Sequence, residues 1–292
     1  MAPRFTAAAS TVVLAAAGLA SARDVPQNVR DFYNAVVGRG QCDNVLASGF
    51  HSVYGGGGGF DYCADESSNV LYIQGKSGAL SNMDICCDGI QGGPADDGRC
   101  ENDPSNLSIT AFQYLVEGYG AGQKDLDANA HPYVVLGNTG DTPGWPTFDP
   151  RDRGVEPLSV VAVVCGDNLF YGVWGDMNGD DGDFPMVGEA SIALATACYG
   201  KGMTGDSGHD DNDVLYIAFP GADAVPGADG AAWSAQNFDD FEASISALGD
   251  KLVQRLGGNG GGGGETPPTN PPQDDCSWEG HCEGESSSAV SA

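Results

Sequence analysis

The alternation of apolar and polar positions predicts four strands in the second half of the chain. They read HPYVVLG (131–137), PLSVVAVVC (157–165), LFYGVWGD (169–176) and DVLYIAF (213–219). The second is a nearly continuous β-branched run, which is typical of a strand buried on both faces. Short loops separate the strands, and one helical stretch follows the third. The pattern therefore favours a compact, mainly β core over alternating β-α-β units.

Other stretches predict helices and loops around this core. Apolar residues recur at helical spacing within Asp24–Leu46 and Phe238–Leu256, and glycines follow both apolar stripes. A short strand is predicted at Val70–Gln74 and a helix at Ala190–Ala197. Gly55–Gly59 predicts a flexible surface loop.

The two ends of the chain differ in composition from the body. Residues 1–22 combine Arg4, a short apolar stretch and the small residues Ala20-Ser21-Ala22, as a cleaved secretory signal does. Residues 257–275 form a Gly/Pro-rich linker, and residues 276–292 form a short tail that contains Cys276 and Cys282. We therefore expect one secreted, extracellular domain over residues 23–256.

Charge and cysteine content narrow the range of partners. The chain has 12 Lys and Arg against 41 Asp and Glu, a formal charge of −29. Such a surface repels nucleic acid and anionic membranes and attracts cationic partners.

Seven of the nine cysteines lie in the body without a paired zinc-type spacing, so we predict disulfides, one leftover thiol, and no metal or cofactor. Cys86 and Cys87 are adjacent and are not expected to pair with each other. We expect a monomer.

Five carboxylates crowd into the short segment that follows the third strand. They are Asp176, Asp180, Asp181, Asp183 and Glu189. Glycoside hydrolysis needs one protonated carboxyl group and one ionised carboxylate. Asp176 directly follows an apolar strand, where burial would raise its pKa, as an acid requires. Glu189 is predicted to start a helix, whose N-terminus favours the ionised form that a base needs.

The acidic residues are also compatible with non-catalytic roles. The segment that begins at Asp176 starts like an EF-hand, but Asp181 stands where glycine is required and Val187 where glutamate is required. A looser Ca²⁺ site or a solvated acidic face is still compatible with the sequence. Near the two adjacent cysteines, Asp84 and Asp88 either flank a disulfide-pinned turn or line a substrate cleft.

Six sequence blocks resemble the fungal chitosanases of glycoside hydrolase family 75. They read NMDICCDG (82–89), DLDANAHPYVVLGN (125–138), PLSVVAVVC (157–165), YGVWGDMNG (171–179), GEASIALA (188–195) and GHDDNDVLYIAF (208–219). The resemblance implies an endo-acting, inverting hydrolase of chitosan, the β-1,4-linked glucosamine polymer. It implies that Asp176 and Glu189 are the essential pair. The family pattern has an acidic residue where this chain has Cys86.

The same blocks extend the expected site and fold. We predict substrate contacts from Asp84, Asp88, Asp127, His131, Trp174, Asn178, Asp180, Asp181 and Asp183. The blocks around Asp176 and Gly188 look like the strand-loop-helix unit of double-psi β-barrels that cleave polysaccharides. The expected fold is therefore mainly β (α+β): a compact, six-stranded, double-psi-like barrel core with flanking helices and disulfides. The alternatives are a non-catalytic binder of cationic cell-wall polysaccharide, with Trp278 as a contact, and a hydrolase of another polysaccharide.

Overall fold

The computed structural model describes residues 23–52, 57–101, 106–180 and 182–257. The predicted signal peptide, the tail and nearly all of the linker lie outside these residues. The strands are β1 (Arg23–Asp24), β2 (Val45–Ser52), β3 (Gly57–Asp65), β4 (Val70–Gln74), β5 (Ser81–Cys86), β6 (Tyr133–Asn138), β7 (Val160–Cys165), β8 (Asn168–Asn178), β9 (Glu189–Ser191) and β10 (His209–Ala218). The α-helices are α1 (Gln27–Arg39), α2 (Gln113–Gly118), α3 (Ile192–Tyr199) and α4 (Phe238–Leu252).

Six of the strands pair into a closed ring. Its order is β5-β9-β6-β8-β7-β10, and β10 pairs back onto β5. The β5–β9 and β6–β8 pairs are parallel, and the other four are antiparallel. Strands β4, β3 and β2 continue outward from β10. The prediction of a mainly β fold with few helices is confirmed.

Several predicted elements appear where the pattern placed them. Strand β4 has the predicted bounds, and every residue of β7 is buried, as its β-branched run indicated. Helix α1 buries Val29, Phe32 and Val36 and ends at Gly40, whose φ of 77° is left-handed. Burying each of these side chains contributes roughly 1.5–3 kcal/mol. Helix α4 continues through a 3-10 turn to Arg255, so its end is also close to the prediction.

Two local predictions are wrong, and one of two open alternatives is excluded for part of its segment. Ser81–Cys86 is a buried strand and not a turn, because its backbone pairs with β9 and β10, whereas the next residue, Cys87, forms a disulfide with Cys100. Gly57–Gly59 belong to β3, where β2 supplies their hydrogen-bonding partner strand. Helix α3 begins at Ile192 and not at Ala190, because the Ser191 side chain accepts a hydrogen bond from the Leu194 N–H and caps it.

Within the part of the chain that the structure describes, three disulfides join residues 13 to 33 positions apart. They are Cys42–Cys63, Cys87–Cys100 and Cys165–Cys198. Cys86 is left as a buried thiol, which confirms the predicted odd cysteine in the body. The third disulfide fixes α3 to the end of β7 and so holds the segment that follows β9. Within the described ranges, no helix has the length and apolar content needed to cross a membrane.

Candidate active site

A β-bulge at Gly175 determines where the Asp176 side chain points. On parallel strands β6 and β8, Val134 pairs with Trp174, but Val135 pairs with Asp176, so Gly175 is the extra residue. Side chains alternate along a strand, and the bulge therefore moves Asp176 to the face opposite Trp174. A Cβ atom at position 175 would lie 2.6 Å from the Cβ of Tyr133, which is closer than such atoms approach. Glycine is thus required at this position.

Three carboxylates lie at one level across four neighbouring strands. Asp84 pairs with Glu189, Glu189 pairs with Val135, and Val135 pairs with Asp176. Residues directly opposite on paired strands share a face. Asp176 and Glu189 therefore flank Val135 on one face. Two strand spacings of about 4.8 Å put their Cα atoms about 10 Å apart.

The Asp176 carboxyl group is buried, with only 6% of the residue exposed. Its Oδ1 accepts hydrogen bonds from the Ala111 N–H at 2.9 Å and the Met177 N–H at 2.8 Å. These bonds favour the ionised form, but burial outweighs them and raises the pKa of Asp176 well above its usual range. The nearby negative charge of Asp88 raises this pKa further. The group is therefore suited to hold a proton.

A buried thiol lies beside this carboxyl group. The Sγ of Cys86 is 4.0 Å from Oδ2 of Asp176, and the Tyr133 hydroxyl lies 3.3 Å from the same sulfur. The Tyr133 hydroxyl also donates to the Asp88 carbonyl oxygen at 2.9 Å. Burial raises the pKa of the Cys86 thiol, as do the carboxylates of Asp88 and Asp176. Cys86 is thus a neutral neighbour of Asp176.

The same region contains a group of three side chains with metal-ligand spacing. One ligand atom each from Cys86, Asp88 and Asp176 lies within 4.8 Å of the others. Metal ligands of these types bind in their deprotonated forms. Without a cation, burial raises the pKa values of Cys86 and Asp176. The absence of a catalytic metal stays a prediction.

Glu189 lies in a different environment from Asp176. It begins strand β9, so the predicted helix N-terminus does not act on it. The Asn178 Nδ2 donates to its Oε2 at 2.6 Å and also to the Met186 carbonyl at 3.1 Å. Asn138 donates to the same Met186 carbonyl at 2.8 Å. An amide donor, and not a helix dipole, thus stabilises the charge of Glu189.

Three of the residues predicted to contact substrate lie near this pair. Asp84 is buried beside Glu189 and accepts a hydrogen bond from Asn82 at 2.9 Å. Asp88 is part-exposed and accepts a hydrogen bond from the Leu107 N–H at 2.6 Å. Asn178 is the amide donor to Glu189. A substrate contact from Asp84 or Asp88 stays a prediction, and Asp88 is the more exposed of the two.

Two other predicted contacts are in the core. His131 and Trp174 are fully buried. His131 lies against Phe241, and the Trp174 Nε1 donates to the backbone oxygens of Leu136 and Asp176. Their burial speaks against direct contact with a polymer. Trp174 instead supports the backbone that carries Asp176.

The remaining predicted contacts lie in turns and loops. Asp127 is buried, and its Oδ1 accepts from the Asn129 N–H at 2.9 Å. Asp180 is exposed, and its carboxylate accepts hydrogen bonds from the loop at 141–142. Asp183 is exposed, and Asp181 lies outside the described residues. The hydrogen bonds described for Asp127 and Asp180 are thus to neighbouring loops and not to Asp176.

Two supporting residues were missed by the sequence reasoning. Asp125 is buried and accepts from the Thr110 N–H at 2.8 Å and the Thr110 hydroxyl at 2.6 Å. It thereby fixes the segment whose next N–H, that of Ala111, binds Asp176. The Tyr133 hydroxyl was also missed. The sequence did offer a signal for Asp125. It stands two residues before Asp127 in the same block and directly precedes the apolar Leu126, so burial could have been expected.

Comparison with known proteins adds an independent finding. The family model described as fungal chitosanase of glycosyl hydrolase group 75 matches residues 83–255. Endo-chitosanase B of Aspergillus oryzae is 45% identical over 240 residues, which cover 81% of this chain and 93% of the relative. An endo-chitosanase of the same species is 44% identical over 252 residues, covering 85% and 98%. One from Aspergillus fumigatus is 45% identical over 239 residues, covering 81% and 93%.

Proposed function

Because the chain belongs to the fungal chitosanases of glycosyl hydrolase group 75, we propose that Asp176 and Glu189 cleave the β-1,4 bonds between glucosamine units with inversion. The protein is a glycoside hydrolase that acts on chitosan. Asp176 is the general acid and Glu189 the general base of the proposed reaction. The observation that carries the proposal is that these two carboxyl groups flank Val135 in opposite environments.

The proposed reaction is a single displacement. Glu189 takes a proton from a water molecule, whose oxygen attacks the anomeric carbon. The bond from that carbon to the glycosidic oxygen breaks, and Asp176 gives its proton to the departing oxygen. Inverting enzymes separate their carboxyl groups by about 6.5–9.5 Å to make room for the water. The two-strand separation of Asp176 and Glu189 supports this geometry.

Charge supports the proposed substrate. Glucosamine amines are largely protonated in mild acid, and the chain carries a formal charge of −29. A strongly charged surface raises the local concentration of an oppositely charged polymer. Asp88 is part-exposed beside Asp176, and we propose that it meets a substrate amine, whereas Asp84 is buried beside Glu189. A neutral glucan would gain nothing from this field.

The barrel topology, the secretion and the oligomeric state of the enzyme are also part of the proposal. We propose a double-psi arrangement for the six-stranded ring, supported by its two parallel pairs among antiparallel ones. Three disulfides support secretion, since oxidising compartments preserve such bonds. A monomer with one catalytic domain over residues 23–256 is the state in which we propose the enzyme acts.

The test compares Asp176→Asn and Glu189→Gln with wild type by reducing-end release from chitosan. A general acid or base contributes about 10²–10⁴-fold, so both variants should lose activity on that scale. Asp229→Asn, at an exposed position that is not among the predicted substrate contacts, is the matched control and should stay within about threefold of wild type. Unfolding midpoints show that each variant is folded.

Proton NMR of the first products decides the stereochemistry. The α-anomer is expected from the β-linked polymer. First products in the β-configuration, or substantial activity in both carboxyl variants, would overturn the mechanism. Added azide should restore turnover in Glu189→Gln, because azide replaces the activated water. Rescue of Asp176→Asn alone would reverse the two roles. Sedimentation with chitosan and no new reducing ends in wild type would favour the binding-protein alternative.

A further inference from the structure

One backbone carbonyl, that of Met186, is bound by two side-chain amides. The Asn138 Nδ2 donates to it at 2.8 Å and the Asn178 Nδ2 at 3.1 Å. The Asn178 Nδ2 also donates to Oε2 of Glu189 at 2.6 Å. One nitrogen atom therefore connects this carbonyl to the carboxyl group that is proposed as the base.

Backbone hydrogen bonds to β2 fix the Met186 carbonyl independently of the two amides. The Val187 N–H donates to the His51 carbonyl at 2.9 Å, and the His51 N–H donates to the Pro185 carbonyl at 2.9 Å. These two bonds lie on either side of residue 186. The Met186 carbonyl is thus a fixed acceptor, and both amides are oriented against it.

The Tyr62 hydroxyl determines the orientation of the Asn138 amide. It accepts a hydrogen bond from the Gly137 N–H at 2.9 Å, and its single proton is donated to Oδ1 of Asn138 at 3.1 Å. Burial raises the pKa of Tyr62, and the charge of Glu189 adds to this, so the hydroxyl keeps its proton. Oδ1 of Asn138 therefore faces Tyr62, and its Nδ2 faces Met186.

The orientation of the Asn178 amide follows from its two acceptors. The Met186 carbonyl and the ionised Glu189 carboxylate can only accept, so Nδ2 and not Oδ1 of Asn178 must face them. An amide turned by 180° would place its oxygen against both acceptors. The Met186 carbonyl thus holds Asn178 in the orientation that supports Glu189.

The ionisable groups that face Glu189 come from four surrounding strands. They are Asp84 and Cys86 of β5, Asp176 of β8, Tyr62 of β3 and Tyr216 of β10. Burial raises the pKa of Cys86 and of Tyr216, so both stay neutral. An ionised carboxyl group nearby disfavours the charge of Glu189, whereas a hydrogen-bond donor favours it. The Asn178 amide therefore opposes the effect of the neighbouring carboxylates.

We infer that Tyr62 and Asn138 are positioning residues for the proposed base, because they act through Met186 and Asn178 to hold an N–H donor on Glu189 and keep it ionised. This inference rests on the proposed function, since it assigns residues that support its base. Asn178 was predicted from the sequence to contact substrate. Both of its N–H bonds are used by Met186 and Glu189, so we assign it this positioning role instead.

The experiment measures the pH dependence of kcat/KM on soluble glucosamine oligomers, whose acidic limb reports ionisation of the base in the free enzyme. Asn178→Leu nearly keeps the side-chain size but removes the donor, so the acidic limb should move up by about 1–2 pH units. Tyr62→Phe removes one hydroxyl and should move the limb in the same direction by a smaller amount. Asn138→Ala interrupts the same route and replaces Tyr62→Phe if that variant does not fold.

Tyr72→Phe is the matched control for Tyr62→Phe. Tyr72 is buried on β4, the strand that pairs with β3, and among the described residues its hydroxyl has no hydrogen-bond partner. This variant should keep the acidic limb of wild type. Unfolding midpoints in urea show which variants are folded, and a carbon-13 NMR titration of the Glu189 carboxyl group measures the shift directly.

The double variant Tyr62→Phe/Asn178→Leu tests whether Tyr62 acts through Asn178. Its acidic limb should coincide with that of Asn178→Leu alone, because the contribution of Tyr62 is already lost with the amide. Shifts that add would overturn the inferred route.

Other outcomes separate the positioning role from the proposed function. An acidic limb that stays at the wild-type pH in Asn178→Leu, or that moves as far in Tyr72→Phe as in Tyr62→Phe, overturns the positioning role. Inactivity of Glu189→Gln leaves the proposed function standing in that case. Full activity of Glu189→Gln, or no cleavage by wild type, overturns the proposed function itself.

Discussion

Because the His131 imidazole is buried, the free energy of unfolding is expected to fall as the pH becomes mildly acidic. Its Nδ1 accepts a hydrogen bond from the Asp127 N–H at 3.0 Å, so the proton of the neutral ring is on Nε2. That nitrogen lies 2.9 Å from the Ala235 carbonyl and donates to it. Burial lowers the pKa of His131 from 6.5 to about 4. The folded protein therefore keeps this ring neutral where the unfolded chain protonates it.

The sign and size of the effect come from proton linkage. Above about pH 6.5 both states hold a neutral ring, and the full stability is present. As the pH falls towards about 4, the unfolded chain takes up a proton that the folded protein refuses, so stability is lost. A pKa difference of about 2.5 corresponds to about 3.4 kcal/mol in the free energy of unfolding, of which about 3 kcal/mol is lost by pH 4.

Urea unfolding of wild type, His131→Gln and His131→Phe at about pH 7.5 and about pH 4 measures this term. Both variants are expected to be less stable than wild type at the higher pH. The gap between wild type and each variant should then shrink by about 3 kcal/mol at the lower pH. Because the two replacements differ in hydrogen bonding but share the loss of titration, they should agree in this change. A gap that stays constant to within about 0.5 kcal/mol would refute the reasoning.

Three further outcomes are expected. Gly175→Ala should lower the free energy of unfolding in urea by about 1–3 kcal/mol and should reduce kcat, because the new Cβ overlaps Tyr133 beside the bulge. Wild-type values of both quantities would contradict the role given to the bulge. Cys86→Asp should move the basic limb of the kcat profile to higher pH, because a carboxylate there raises the pKa of Asp176; a limb that stays with that of Cys86→Ser would contradict it. Ser191→Ala should cost about 1 kcal/mol of thermal stability through the lost cap of α3, and an unchanged melting temperature would contradict the capping role.

The sequence predicted those elements whose hydrophobic pattern can be recognised without knowing their partners in the fold. The run that became β7 is apolar at every position, so periodicity and length identified it without knowledge of its partners. The α1 and α4 stripes were equally self-contained. Asp176 and Glu189 came from chemistry and resemblance, and their strands flank β6 on its two sides.

The missed features depend on partners far away in the sequence. Strand β9 has only three residues, too few for any periodicity, and exists because Asp84 and Val135 lie on either side of Glu189. The bulge at Gly175 breaks the alternation on which strand prediction relies. His131 was predicted as a substrate contact, and only tertiary packing against α4 makes it a core residue.

The closed order of the ring has a consequence for how such an enzyme can diverge. The spacing of the two carboxyl groups proposed to react follows from the distance between hydrogen-bonded strands, which side-chain substitutions do not change. The loops at the strand ends, such as 139–142, are under no such constraint. Substitutions in those loops can therefore change which polymer binds, while the carboxyl spacing on which the proposed inversion depends stays the same as long as the sheet is kept.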